Sequence, residues 1–327
     1  MTPLRLVFLG SDAIALPLLE WLVDGGSAIA QVVAVFTKPD RAVGRGQKVA
    51  PNAIKQWALG RGLPVLQPEK LTPETIAELA NLKADVALVM AYGHILRDEF
   101  ISTPRLGTLN LHTSLLPKYR GASPIQTAIA NGDRETGVTL MRIVRQLDAG
   151  PLADAERVAI GSLDTAADVE AKLSTACVPL VARSLPRLRD GALGFTVQDS
   201  GATTYCRKLA KPDGQLDFIA PASALAARIN GLFPWPTCSV QIGDVPVKLG
   251  LADALDGAGE PGVVIGSDPE GLLVGTGTGQ LRIRRLQRPG GRMLPAADFL
   301  RGFAVARGTV LVSQPMAALV ASALFPR

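Results

Sequence analysis

Continuous apolar runs alternate with amphipathic segments along the N-terminal part of the chain. Runs of this kind, ending at small or polar residues, are typical of strands that are buried on both faces of a parallel sheet. Strands are predicted over residues 4–9, 32–36, 65–66, 86–91, 108–112 and 138–143, and helices over 13–23, 54–59, 73–82, 124–130 and 165–189. The alternation predicts an α/β fold with a Rossmann-like, mostly parallel sheet and helices on both faces.

The C-terminal part has a different pattern, in which short strands are separated by Gly, Asp and Pro turns. A predicted helix over 222–229 precedes predicted strands over 239–242, 245–249, 262–265, 271–276 and 280–286. Short strands at close spacing indicate a small, OB-like β-barrel. We place a catalytic domain at 1–205, including a linker from about residue 190, and the barrel domain at 206–327.

The last apolar run, residues 310–325, is interrupted by Ser313, Gln314 and Pro315. It is shorter than the ~20 residues that a membrane span needs. We therefore predict a C-terminal helix that docks on the body of the protein, and no association with a membrane. Residues 1–10 lack the pattern of a signal peptide, which predicts a cytoplasmic protein.

Composition narrows the chemistry that the chain can perform. Its three cysteines are far apart and it has two histidines, so we expect neither a disulfide framework nor a metal site. No G-x-G-x-x-G follows the first predicted strand, where a dinucleotide-binding motif would begin, and no P-loop occurs, which argues against NAD and ATP. The net charge is +5, and the excess lies mostly beyond residue 205, where arginines cluster within 282–292. A nucleic-acid surface and a solvated strand face explain that cluster equally well.

Two polar residues lie near the carboxyl end of a predicted central strand. Because side chains alternate along a strand, Asn110 and His112 share a face, at the edge where ligands of such sheets bind. An amide can stabilise a developing oxyanion, and an imidazole can transfer a proton near neutrality. A structural role for His112 is equally compatible with this position. Asp148 follows the next strand and could orient His112, although alone it is more typical of a turn.

Residues 110–121 read Asn-x-His-x-Ser-Leu-Leu-Pro-x-x-Arg-Gly, and Leu-Asp-x-Gly follows at 147–150. These motifs resemble the signature of the folate-dependent formyltransferases, whose members act on glycinamide ribonucleotide, amino sugars or methionyl-tRNA. Two further stretches are similar to the members that act on methionyl-tRNA. They are the basic segment 37–46, followed by Pro51, and Lys208-Leu-Ala-Lys211 together with Phe233-Pro-Trp-Pro236. The similarity extends over about residues 4–302.

The resemblance implies a reaction and a catalytic trio. The donor would be 10-formyltetrahydrofolate, and the acceptor would be the α-amine of methionine on initiator methionyl-tRNA. His112 would take the proton of the attacking amine or relay it to the departing folate nitrogen. Asn110 would donate to the tetrahedral oxyanion. Asp148 would hold His112, directly or through water.

The resemblance also implies the binding residues. Folate would contact two stretches, which comprise Met90, Ala91, Tyr92, Gly93, Ser114, Leu115, Leu116 and Pro117. The loop 37–51 would insert at the acceptor stem of the tRNA, although an exposed flexible loop is the plain alternative. The implied tRNA contacts are Lys38, Arg41, Arg45 and Lys48 in this loop, Lys208 and Lys211 in the linker, and Arg284, Arg285 and Arg288 in the barrel.

Two other functions remain as alternatives. A sugar-nucleotide N-formyltransferase of the same superfamily would share the trio and lack the tRNA loop. An RNA-binding protein with a degenerate site is disfavoured, because such a site has no chemical reason to retain the trio. The chain departs from the family pattern at His94, where an aliphatic residue is usual, and in residues 310–327, which extend past the usual end. We expect a monomer.

Overall fold

The computed structural model describes residues 2–43 and 48–326. Its helices are α1 (Leu16–Val23), α2 (Ala53–Gly60), α3 (Pro73–Asn81), α4 (Asp98–Ser102), α5 (Pro124–Ala130), α6 (Ala166–Arg189), α7 (Ala222–Gly231) and α8 (Ala296–Gly302). Its strands are β1 (Leu4–Gly10), β2 (Ala30–Phe36), β3 (Arg41–Val43), β4 (Lys48–Ala50), β5 (Val65–Leu66), β6 (Val86–Met90), β7 (Thr108–His112), β8 (Arg120–Gly121), β9 (Glu135–Arg142), β10 (Leu152–Ala159), β11 (Tyr205–Cys206), β12 (Cys238–Ile242), β13 (Val245–Leu255), β14 (Val264–Ser267), β15 (Leu272–Gly275), β16 (Gln280–Gln287), β17 (Leu294–Pro295) and β18 (Val320–Ala321).

The main sheet has seven strands in the order β10-β9-β7-β6-β1-β2-β5. The five strands from β7 to β5 are parallel, and β1, β6 and β7 are buried along almost their whole length. Burial on both faces explains why these strands are continuous apolar runs in the sequence. The predicted α/β class with a mostly parallel, Rossmann-like sheet is confirmed.

One edge of this sheet differs from the sequence-based expectation. The predicted strand over 138–143 exists as β9, but it runs antiparallel to β7, with His112 opposite Thr139. The neighbouring strand β10 was not predicted. It alternates half-buried and exposed residues and carries three charged side chains, so it lacks the apolar run that marks the inner strands.

The C-terminal sheet is antiparallel, in the order β12-β13-β16-β15-β14, with β17 paired to β16. Along β12 every second residue is buried, which places Cys238, Val240 and Ile242 in the core. This curled sheet confirms the predicted class of a small, OB-like barrel. Helix α7 packs on β13 and β16.

The chain divides into two compact units, each built from several segments. The first comprises residues 1–120, 137–158 and 171–203, and the second comprises 121–136, 159–170 and 204–327. Helix α5 therefore belongs to the second unit, where it packs against α7. Gly231 permits this approach, because a Cβ there would lie 2.5 Å from the backbone nitrogen of Ala130.

The predicted C-terminal helix is wrong. Residues 303–326 are irregular apart from β18, which pairs antiparallel with β11. Backbone hydrogen bonds to other segments replace helical ones, since the N–H of Leu311 donates to Gly262 and that of Gln314 donates to Leu216. Pro315 has no N–H to give to a helix. Among the described residues, no helix is long and apolar enough to cross a membrane.

Candidate active site

His112 is the last residue of β7, and Asn110 lies two residues earlier on the same face of that strand. His112 is 6% exposed, and its Nε2 lies 2.9 Å from the carbonyl oxygen of Tyr119. A carbonyl can only accept, so in the neutral imidazole Nε2 carries the hydrogen and Nδ1 carries the lone pair. Nδ1 lies 3.7 Å from Oδ2 of Asp148. The structure thus brings His112 and Asp148 together, while Asn110 is half-buried two residues before His112 in the strand.

Both partners of His112 have an uncommon backbone conformation. Tyr119 has a φ of +60° and Asp148 a φ of +47°, in the left-handed region that side chains other than glycine seldom adopt. The turn after Asp148 is tightly packed, because a Cβ at Gly150 would overlap the carbonyl oxygen of Arg142. Such conformations persist only where surrounding contacts enforce them, and they cluster at functional sites.

Two buried residues that sequence reasoning missed hold this region. Gln198 donates to the carbonyl oxygens of Asp148 and Gly150, at 2.8 Å each, and its own oxygen accepts two bonds from Arg120. Thr139, on β9, bonds to the backbone of Ser114 and Leu116. Neither residue lies in a motif, and a lone buried Gln or Thr has no periodicity that would reveal its role.

The predicted folate stretch, from the end of β6 onward, alternates buried and exposed residues. Met90 and Tyr92 are buried, and Met90 Sδ lies 3.8 Å from Cys177 Sγ in the interior. Burial raises the pKa of Tyr92 to about 12. Ala91 and Gly93 are exposed and have positive φ values. The carbonyl of Ala91 accepts from the N–H of Ser11 at 3.2 Å, which fixes this turn, and a turn with exposed polar groups can contact the hydrogen-bonding edge of a pterin ring.

The second predicted folate stretch is a fixed loop. The hydroxyl of Ser114 donates to the carbonyl of Lys118 at 2.6 Å, so it is engaged within the loop. Leu116 is buried, whereas Leu115 and Pro117 are half-buried. The loop therefore offers partly exposed aliphatic surface, which suits the cover of a planar ring.

The predicted tRNA loop forms a hairpin of β3 and β4, in which Arg41 pairs with Ala50 and Val43 with Lys48. Arg41 and Lys48 are exposed. Arg45 and its neighbouring glycines, Gly44 and Gly46, lie outside the described residues.

The base of this hairpin is anchored to the first unit. Gln67 donates to the carbonyl of Lys38 at 2.8 Å, and a Cβ at Gly93 would lie 2.5 Å from Nζ of Lys38. Hydrogen bonds from Gln67 and Lys55 lower the pKa of the Asp40 carboxyl. Since Asp40 pairs with Lys55, it does not compensate the basic residues of the hairpin.

His94 follows the first folate stretch, with its ring 5.0 Å from that of Tyr92. Burial lowers the pKa of His94, and the positive charges of Lys38 and Arg41 lower it further. Residues 2–43 and 48–326 contain no group of three or more His, Cys, Asp or Glu side chains that could hold a metal ion.

Comparison with known proteins places this geometry in a family. The formyl transferase profile matches residues 4–183, and the profile of the formyl transferase C-terminal domain matches residues 208–304. A methionyl-tRNA formyltransferase of Pseudomonas savastanoi pv. phaseolicola is 42% identical over 314 residues, covering 94% of this chain and 98% of that protein. The chain belongs to the methionyl-tRNA formyltransferase family. A methionyl-tRNA formyltransferase of Aromatoleum aromaticum is 39% identical over 307 residues, covering 94% of this chain and 96% of that protein.

Solved structures share the fold at low identity. The sugar 3N-formyltransferase WlaRD, solved in the presence of dTDP and 5-N-formyl-THF, aligns with a TM-score of 0.64 at 17% identity, covering 88% of this chain and 99% of that chain. HypX from Aquifex aeolicus, solved in complex with tetrahydrofolic acid, aligns with a TM-score of 0.59 at 18% identity, covering 91% of this chain and 47% of that chain. Sugar N-formyltransferases are therefore distant structural neighbours of this methionyl-tRNA formyltransferase family member.

The linker motif of the family is held by a buried carboxylate. Lys208 and Lys211 are exposed. Asp213 is 2% exposed and accepts bonds from both terminal nitrogens of Arg207 and, at 2.7 Å, from the N–H of Ala210. The two lysines therefore sit on a segment whose backbone is fixed from inside.

The predicted arginine cluster of this family member divides into two kinds. Arg285 and Arg288 are exposed, and the guanidinium of Arg288 lies 5.7 Å from the ring centre of Phe303. Arg284 is half-buried, and its Nε lies 2.6 Å from Oδ1 of Asp253. The charge of Arg284 is thus compensated internally, and we do not expect it to bind phosphate.

Proposed function

We propose that this chain transfers a formyl group from 10-formyltetrahydrofolate to the α-amine of methionine on initiator methionyl-tRNA, for the initiation of translation. Identity above 40% over 94% of the chain to a methionyl-tRNA formyltransferase is the observation that carries this proposal. The pairing of His112 with Asp148 at the carboxyl edge of the sheet supports it, because ligands of such sheets bind there.

The reaction requires one proton to leave the attacking amine and one to reach the departing nitrogen. The neutral amine adds to the formyl carbon, and the carbonyl oxygen of that group becomes an oxyanion. Asn110 donates to this oxyanion. Nε2 of His112 is hydrogen-bonded to the Tyr119 carbonyl, so Nδ1 is the nitrogen that takes the amine proton. The carboxylate of Asp148 stabilises the imidazolium that forms.

Collapse of the tetrahedral adduct completes the transfer. The bond between the formyl carbon and N10 of folate breaks, and the proton held by His112 passes to N10. The products are formylmethionyl-tRNA and tetrahydrofolate. In this scheme each imidazolium N–H faces an acceptor, the Tyr119 carbonyl at Nε2 and the Asp148 carboxylate at Nδ1.

The donor and the acceptor have separate recognition elements in this proposal. The exposed residues Ala91 and Gly93 and the loop 114–117 contact the pterin. The hairpin of β3 and β4, the linker lysines Lys208 and Lys211, and the exposed barrel arginines Arg285 and Arg288 contact the tRNA. We further propose a catalytic domain ending near residue 205, a tRNA-binding barrel from 206, and a monomer that acts in the cytoplasm.

The experiment that tests the function supplies formyl-labelled 10-formyltetrahydrofolate to the purified chain with three acceptors. These are initiator methionyl-tRNA, elongator methionyl-tRNA and a dTDP-linked amino sugar. We expect label on initiator methionyl-tRNA, and His112→Ala to lower kcat by on the order of 10²–10⁴. Label on the amino sugar alone would instead identify the runner-up activity, a sugar-nucleotide N-formyltransferase.

Matched variants distinguish the loss of a catalytic side chain of the trio from a general loss of folded structure. His94→Gln changes the chain's other histidine and should leave kcat close to the wild-type value, since His94 is not placed in the trio. Asn110→Ala and Asp148→Ala should lower kcat as His112→Ala does, with circular dichroism and tRNA binding retained. Near-normal turnover in His112→Ala would contradict the mechanism even if the acceptor is correct.

A further inference from the structure

We propose that Gln198 is a positioning residue for the catalytic histidine, which it controls by linking the two backbone segments that contact His112. The inference rests on the proposed function, since it extends the roles of His112 and Asp148. Gln198 lies about 50 residues beyond Asp148 in the chain, after α6, and outside every motif that the sequence contains.

The side chain of Gln198 uses its whole hydrogen-bonding capacity. Its amide nitrogen donates to the carbonyl oxygens of Asp148 and Gly150, both at 2.8 Å. Its oxygen accepts from Nε of Arg120 at 3.0 Å and from Nη2 at 2.7 Å. A primary amide has two hydrogens and two acceptor sites, so all four are occupied. Gln198 is 8% exposed and Arg120 is 6% exposed, so water does not replace these bonds readily.

These four bonds connect both sides of the imidazole. On one side, Arg120 directly follows Tyr119, whose carbonyl oxygen contacts Nε2 of His112. On the other side, the carbonyls of Asp148 and Gly150 frame the turn from which the Asp148 carboxylate faces Nδ1. The left-handed conformations of Tyr119 and Asp148 need external enforcement, and the amide of Gln198 supplies it to both segments.

An amide is required because the two sides need opposite partners. The guanidinium of Arg120 can only donate, and the two carbonyls can only accept. Glutamate at position 198 would keep the acceptor for Arg120 and would repel both carbonyls. Methionine would remove donor and acceptor together at similar length. The Gln198→Glu variant therefore removes only the hydrogen bonds to the two carbonyls, whereas Gln198→Met also removes those from Arg120.

The kinetic experiment compares Gln198→Met and Gln198→Glu with the wild-type chain. We expect both variants to lower kcat by about 10- to 100-fold, with KM for the donor and for methionyl-tRNA changed by less than about threefold. Gln280→Met is the matched control, because Gln280 also donates to a backbone carbonyl, that of Ala258 at 2.9 Å, within the second unit. Wild-type kcat in Gln198→Glu would overturn the proposal, since only the bond to Arg120 would then matter.

A double variant tests whether Gln198 acts through His112. If it does, adding Gln198→Met to His112→Ala lowers kcat by less than about threefold beyond the loss from His112→Ala alone, because both sides of the linkage act on the imidazole. A general structural role predicts that the two losses multiply, and that outcome contradicts the proposal.

The ring nitrogens of His112 give a readout that does not depend on activity. The chain has two histidines, so ¹⁵N signals of the imidazoles can be assigned with His94→Gln. We expect the wild-type His112 ring to be protonated at Nε2 when neutral, and its signals to shift in Gln198→Met and in Gln198→Glu but not in Gln280→Met. Unchanged His112 signals in a folded Gln198 variant overturn the inference. Failure of the wild-type chain to formylate methionyl-tRNA would overturn the proposed function alone.

Discussion

The hydroxyl of Thr139 donates to the carbonyl oxygen of Ser114 at 2.7 Å and accepts from the N–H of Leu116 at 3.1 Å. Thr139 lies on β9 directly opposite His112. It is 1% exposed, so one buried hydroxyl fixes the start of the loop 114–117 beside the histidine. In the proposed function this loop contacts the formyl donor.

Replacing Thr139 by valine should weaken donor binding. The change keeps the shape and leaves the carbonyl of Ser114 and the N–H of Leu116 without their partner, which costs about 1–3 kcal/mol of stability for each buried group. We expect a lower melting temperature and a KM for 10-formyltetrahydrofolate raised by roughly 3- to 30-fold, with KM for methionyl-tRNA nearly unchanged. Thr139→Ser keeps the hydroxyl and is the control. If Thr139→Val and Thr139→Ser have the same KM for 10-formyltetrahydrofolate, the loop 114–117 does not take part in folate binding.

The hairpin of β3 and β4 should act on the tRNA through phosphate contacts. We expect Arg41→Ala, Lys48→Ala and Arg45→Ala each to raise KM for methionyl-tRNA at low salt and to leave KM for the donor unchanged. The effect should shrink as salt rises, because phosphate contacts are screened. Lys70→Ala, an exposed lysine outside the hairpin, is the control. If all three variants have wild-type kinetics at low salt, the hairpin does not bind the tRNA.

Two classes of arginine in the barrel should behave differently. Arg285→Gln together with Arg288→Gln removes exposed charges, so we expect weaker tRNA binding and a salt slope reduced by up to about two. Arg284→Gln removes an ion-pair partner of Asp253 and should lower the melting temperature with little change in tRNA affinity. Filter binding across a salt series, with thermal melts, distinguishes these outcomes. Unchanged affinity and slope in the Arg285/Arg288 double variant would mean that these arginines belong to a solvated strand face.

Local patterns predicted the inner strands of the main sheet and the placement of Asn110 and His112, because burial on both faces and strand alternation leave periodic traces in the sequence. They did not reveal Gln198 or Thr139, whose partners lie tens of residues away and whose hydrogen bonds follow no periodicity. Asp148 was found through its motif, but its contact with His112 depends on a turn between β9 and β10. The sequence pattern did not predict the edge strand β10, because this partly exposed strand carries polar residues in place of a continuous apolar run.

The carboxylate of Asp213 should make folding sensitive to acid. Burial would raise the pKa of Asp213, but hydrogen bonds from Arg207 and from the N–H of Ala210 outweigh it and leave the pKa below its usual value. A carboxyl with a lowered folded pKa stabilises the fold fully above its unfolded pKa of about 3.9, and this contribution is lost as pH falls through the folded value. We expect Asp213→Asn to lose about 1–3 kcal/mol at neutral pH.

The same variant supplies the test of the pH dependence. Denaturant unfolding of the wild type and of Asp213→Asn should differ most at neutral pH, and the difference should narrow below about pH 4. Asp217→Asn, a neighbouring acid, is the control. A stability difference that stays constant down to the lowest pH measured would show that Asp213 does not act through its charge.

The C-terminal segment should stabilise the second unit through the burial of Leu311. Leu311 is 1% exposed in the core of that unit, whereas Val312 is 67% exposed, as an extended segment requires. Since a Leu→Ala change in a core costs about 2–5 kcal/mol and a surface change typically less than about 0.5, Leu311→Ala should unfold at clearly lower denaturant than Val312→Ala. Equal unfolding midpoints for the two variants would contradict the burial of Leu311 in the core of this unit, while a large loss confined to Leu311→Ala would support residues 310–326 as an integral part of the barrel unit.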